Sequence, residues 1–143
     1  MHALQNQSTL FYFENSVGRV AQEAEYIRLQ WLTGPTTSGT VRTVLEQFLR
    51  AQAHAPATGP IRLLIDQRLA KPFSEADRDW LTHEWLPYCT QLMGFHHAAH
   101  IAAQNVFARL SSVPVLAKAR SLQLNHQCFD EEATALAWLL RQP

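Results

Sequence analysis

The sequence predicts a single α/β domain in which an N-terminal antiparallel meander continues into a mixed sheet with crossover helices. Three observations carry that expectation. Residues 61–65 form an apolar run that ends on Asp66, and a polar loop and a helix capped at Ser74 follow, the order of a buried strand feeding a crossover. Residues 10–32 are short strand-like runs separated by turn residues. Beyond residue 36, helix-like and strand-like stretches alternate, which favours parallel neighbours.

Composition narrows the function classes. A chain of 143 residues suits one domain, here expected over residues 9–143 behind a flexible segment, 1–8. Apolar residues make up 47% and charged residues 17%, a globular balance with an ample core. Lys plus Arg and Asp plus Glu number 12 each, so no net field draws nucleic acid or an anionic membrane. The first residues lack the basic and apolar regions of a signal peptide, and no apolar run reaches the ~20 residues that span a bilayer. A cytoplasmic protein with no membrane insertion is expected, and Cys89 and Cys128 read as free thiols ahead of the alternative, a disulfide between them.

The elements follow in order. Aromatic residues at 10–14, a return at 19–23 after Asn15 and Gly18, and alternation of Ile27, Leu29 and Trp31 with polar residues predict three strands. Thr36, Thr37 or Ser38 caps a helix whose apolar stripe is Val41, Val44, Leu45, Phe48 and Leu49. The helix from Ser74 presents Leu81, Trp85, Tyr88 and Leu92 on one face, with a kink or a restart at Pro87 and a C-cap at Gly94. Residues 98–103 read as a buried strand beside 61–65. A short helix from Val106 is interrupted at Ser111, Ser112 and Pro114, residues 124–129 form an edge strand, and Asp130 caps a last helix that buries Ala133, Leu136, Ala137 and Leu140.

This order, with Asp66 ending the central strand, Trp80-Leu81 and Trp85-Leu86-Pro87 on the following helix, Val106-Phe107-Ala108-Arg109-Leu110, and Phe129-Asp130 ahead of Trp138-Leu139, resembles the SpoIIAA-like, or STAS-type, family in a bacterial branch of small proteins. The resemblance covers most of the chain from about residue 10. It implies the STAS fold and action through protein contacts. Signalling members carry D-S-S-G after the central strand. Here Asp66-Gln67-Arg68-Leu69 stands in its place, so a phosphoserine switch is not expected.

The chemistry-bearing residues point to no reaction. His96 and His100 share a face, but two ligands do not make a zinc site, and His83-Glu84 fails the H-E-x-x-H pattern because Pro87 holds the second histidine position. Cys89 and Cys128 read as core residues without a histidine neighbour, and Trp80, Trp85 and Trp138 as core before pocket. Asp66, Gln67, Arg68, Ser74, Gln104 and Asn105 remain as a ligand or partner site at the carboxyl ends of two strands. The expected function is a non-catalytic interaction module without metal or cofactor, forming a homodimer through the meander or binding a protein partner. The alternative is a small or lipid-like molecule held near the strand ends.

Overall fold

The computed structural model describes residues 10–55 and 59–143, and the segment 1–8 lies outside the described residues. Six strands form one mixed sheet in sequence order: β1 (Tyr12–Glu14), β2 (Gly18–Gln22), β3 (Ile27–Trp31), β4 (Ile61–Asp66), β5 (His96–Ile101) and β6 (Asn125–Phe129). The first three pair antiparallel and the last four parallel. The expected α/β domain is therefore the observed one, with β4 and β5 as parallel neighbours, although β5 spans His96–Ile101 rather than the expected 98–103.

Each parallel connection crosses over through a helix. The first, α1 (Ser38–His54), starts at a reciprocal cap: the Thr40 amide donates to Thr37 Oγ1 at 3.3 Å and the Thr37 amide to Thr40 Oγ1 at 2.9 Å. Its stripe of Val41, Val44, Leu45 and Phe48 is buried against β2 and β3. Gly18 is required beneath it, since a Cβ there would lie 2.7 Å from a methyl of Val44.

The second helix, α2, has three parts: Glu75–Trp80 is α-helical, Leu81–Trp85 forms a π-helical turn, and Leu86–Met93 is α-helical with Pro87 in its first turn. The wide turn accommodates Pro87, whose missing N–H and ring would otherwise break an α-helical ladder. It also rotates the helix phase. Leu81, Trp85, Leu86 and Cys89 face the core, while Tyr88 and Leu92, expected on the buried face, are exposed.

Helix α3 (Val106–Ser121) runs unbroken through Pro114, contrary to the interruption expected at Ser111 and Ser112. Both serines bond back into the helix, Ser111 Oγ to the Ala108 carbonyl and Ser112 Oγ to that of Arg109, and so do not terminate it. Helix α4 (Glu132–Leu140) has Glu131 at its N-cap rather than Asp130, and it buries Ala135 and Leu139 rather than Ala133, Ala137 and Leu140.

Burial alternates along the strands and sorts the layers. Leu63, Ile65 and Ala98 join the larger core under α1, α2 and α3, whereas Leu64, Ala99 and Ile101 pack with Ala135 and Leu139 of α4 on the opposite face. No helix among the described residues is long and apolar enough to cross a membrane.

Candidate functional site

The polar rim at the carboxyl ends of β4 and β5 is built from the residues that the sequence singles out. Asp66 is buried at 2% exposure, and its Oδ1 accepts the Arg68 amide at 3.1 Å and Arg68 Nε at 3.0 Å. Its Oδ2 accepts Arg68 Nη2 at 2.7 Å, closing a bidentate pair. The same Nη2 reaches Glu132 Oε1 at 3.1 Å, and Glu132 Oε2 takes Arg28 Nη2 at 2.7 Å. Burial on its own would raise the Asp66 pKa, but the Arg68 side-chain and amide hydrogen bonds prevail and hold it below the usual carboxylate range. The Glu132 carboxyl is held low by hydrogen bonds from Arg28.

The other rim residues are equally engaged. The Gln67 amide donates to the Ile101 carbonyl at 2.9 Å and the Gln104 amide to that of Arg68 at 3.2 Å, tying the two loops together. Asn105 caps α3, its Oδ1 accepting the amides of Phe107 and Ala108. Ser74 caps α2, its Oγ accepting the Asp77 amide at 3.1 Å. Ser74→Ala is thus expected to cost about 0.5–2 kcal/mol in chemical denaturation, and an unaltered midpoint would remove the capping role. The structure brings Asp66, Arg68, Gln67 and Gln104 together, with Asn105 and Ser74 at the adjoining helix starts; Asp66, Arg68, Asn105 and Ser74 are engaged through their side chains, Gln67 and Gln104 through their backbone amides.

A second constellation lies under the helix layer. His96 and His100 of β5 share a face, and His126 of β6 stands between them because Ala98 pairs with His126 in register. The three rings form a chain: His96 Nε2 to His126 Nε2 at 2.8 Å, and His126 Nδ1 to His100 Nε2 at 3.0 Å. His100 Nδ1 is buried without a partner. If His100 donates to His126, and His126 to His96, what remains at His100 Nδ1 is a lone pair. The opposite direction would strand a buried N–H, which is the costlier outcome, so the first direction is assigned.

All three imidazoles are held neutral. Burial, then the charge of His97, lowers His96 to about 4. Burial, with His96 and Arg120, lowers His100 to about 3. His126 is pushed down further by burial and then by His100, His96 and Arg120. His97 lies on the other face of the sheet and bonds Asn125 at 3.0 Å.

These imidazoles do not converge on a metal. Ligand nitrogens about 2.0–2.1 Å from a tetrahedral zinc stand roughly 3.3 Å apart and aim at one point. Here the spacings are hydrogen-bond lengths, and His126 offers a different nitrogen to each neighbour. No group of three or more His, Cys, Asp or Glu among the described residues is arranged to hold a metal ion.

The rings line a narrow cavity of about 60 Å³ whose other walls include Phe48, Trp85, Cys89 and Gln52. Burial pushes the Cys89 thiol up to about 12, so it supplies no thiolate at neutral pH. Trp85 Nε1 is buried without a partner beside this cavity. Trp31 and Phe73, edge to face at 5.7 Å, line both the cavity and a more open groove of about 430 Å³ at the carboxyl ends of β3 and β4. Cys128, expected in the core, is exposed near the carboxyl end of the edge strand β6, although it lies on the same face as His126.

The sequence reading missed His126. Its signal was the alternation in 124–129, which puts Leu124 and His126 on one face, but its proximity to His96 and His100 depends on the register between β5 and β6.

Comparison with protein-family models, curated proteins and solved structures gives no match to this chain.

Proposed function

We propose that this chain is a non-catalytic cytoplasmic module of the SpoIIAA-like, STAS-type class that acts through protein contacts, with the outer face of α3 as its contact surface. The observation that carries this reading is the exposure of Val106, Phe107, Leu110 and Val113, more than half open on one helix, with Phe107 at 68%. Large apolar side chains grouped along one helix mark interaction surfaces more often than isolated exposed ones do. Leu69 is also exposed, on a loop joined to the approach to α3 by the Gln104 amide and to α3 itself by the Phe73 amide bond to Ser111 Oγ.

The meander is a weaker candidate for a homodimer contact. Val17, Val20, Ile27, Leu29 and Trp31 turn into the core with Phe11 and Phe13 against them, and β1 is three residues long, a short edge. The rim favours a structural role, since the side chains of Asp66, Arg68, Ser74 and Asn105 are already bonded.

A photo-cross-linking amino acid in place of Leu110, introduced in the cells that make the protein, tests the proposal. Cross-links to a protein at position 110 and none from the same probe at Leu140, on the opposite face, are expected. Equal labelling from both positions would count against a contact surface on α3.

A second reading, a binder of a small apolar molecule, is favoured by the cavity over the imidazole chain. Two buried polar atoms without partners, Trp85 Nε1 and His100 Nδ1, belong to side chains lining it, and a hydroxyl could accept from the first or donate to the second. Native mass spectrometry of freshly purified protein checks this reading: a retained small molecule supports it, and the bare chain mass opposes it.

A further inference from the structure

We propose that copies of this chain bind one another head to tail, the outer face of α3 on one copy seating in the groove between α1 and α2 of the next. This rests on the reading of α3 as a contact surface and names its partner.

The two surfaces are complementary in charge, and both are rich in exposed apolar side chains. On α3, Phe107 and Leu110 stand 68% and 62% exposed, one helical turn apart, with exposed Arg109 between them in sequence and exposed Arg120 further along the helix. Helix α3 contains no Asp or Glu. The groove is lined by Leu49, Trp80, Trp85 and Tyr88 and carries the carboxylates of Glu46 and Glu84, both exposed. Arg42 lies over the Trp80 ring at 4.8 Å and is engaged by buried Asp77 at 3.4 Å, and neither Glu46 nor Glu84 forms an ion pair among the described residues.

A ridge of Phe107 and Leu110 laid on Trp80 and Tyr88 brings Arg109 to the groove carboxylates. Trp, Tyr, Phe and Arg are the residue types that dominate such contacts. Charge also decides against the symmetric alternatives. Two α3 faces would set arginines against arginines, and two grooves would set glutamates against glutamates. The contact is therefore heterologous and builds a ring or an open chain of copies rather than an isologous pair.

Sedimentation velocity of the full chain, over concentrations on the order of 10 μM to 1 mM, tests this with two charge reversals at exposed positions. The parent should associate beyond a dimer as concentration rises, and less so in high salt. Arg109→Glu and Glu84→Arg should each weaken association by about tenfold or more, with unchanged thermal melting as the check on folding. Mixing the two variants in equal amounts should restore association, because the mixture contains one parental ridge and one parental groove. A parent that stays monomeric throughout overturns the inference, as does a Glu84→Arg variant that associates like the parent. Either result leaves α3 open to a different protein, which the cross-linking at position 110 reads independently.

Discussion

Lowering the pH from 6.5 to about 5 is expected to destabilise this protein steeply, above the usual range of carboxylate titration. The cause is the imidazole chain. In the unfolded chain His96, His100 and His126 titrate near 6.5, whereas in the fold His96 is lowered to about 4, His100 to about 3 and His126 further still. Between these values the unfolded state binds more protons than the native state, so stability falls as the pH drops through 6.5 and keeps falling until the folded-state values are reached. Each such group contributes about 1.4 kcal/mol per pH unit and the three together about 4 kcal/mol per pH unit, a large share by pH 5 of a total stability on the order of 5–15 kcal/mol. Asp66 and Glu132 act in the same direction at lower pH, because their depressed pKa values stabilise the fold above the carboxylate range and that contribution is lost as they protonate. Urea midpoints at a series of pH values from 7.5 to 5 would measure this. Replacement of His126 by Gln should flatten the slope by about one proton. A parent midpoint that stays level over that range would show that the three rings are not buried together.

Phe48→Ala should be the most damaging single truncation on the helix side of the sheet. Phe48 is 2% exposed, stacks on Trp85 with ring planes 10° apart at 6.5 Å, and forms one wall of the cavity over the histidines. Its removal forfeits the transfer free energy of a phenyl ring and leaves a void that α1, held by its Thr37 cap and its packing on β2, collapses into incompletely. The expected loss is about 3–5 kcal/mol. The new space adjoins the existing cavity of about 60 Å³ and is lined by apolar side chains, so benzene should raise the midpoint of the variant and leave the parent unchanged. A loss below about 1 kcal/mol would mean that the helix layer relaxes onto the sheet, contrary to the packing of this core.

What the sequence made legible was local chemistry with a fixed period. The alternation of Ile27, Leu29 and Trp31, the apolar run ending on Asp66, and the Ser74 cap each specify an element without reference to the rest of the chain, and all three stand in the structure. The rim site was legible for the same reason, since Asp66, Gln67, Gln104 and Asn105 follow directly from where β4 and β5 end. What was not legible depended on long-range register or helix phase. His126 meets His100 across 26 residues through the pairing of β5 with β6. The π-helical turn before Pro87 moves Tyr88 and Leu92 from the expected core face to the surface, and the back-bonded serines carry α3 past Ser111 and Ser112. Continuity of α3 is what places Val113 on the same outer face as Phe107 and Leu110, so the proposed contact surface emerges only in the folded chain.

A structural rim and a contact face on α3 are separated most directly by one paired comparison: partner or self-association measured for Phe107→Ser with Leu110→Ser beside Asp66→Asn, each referred to its own denaturation midpoint. Exposed side chains on α3 should be removable with a change in stability within about 0.5 kcal/mol and with loss of association. Asp66→Asn should lower the midpoint, because the bidentate pair with Arg68 loses its charge, and should leave association intact. Association that survives the α3 double replacement and disappears with Asp66→Asn would contradict the account and return the functional site to the rim.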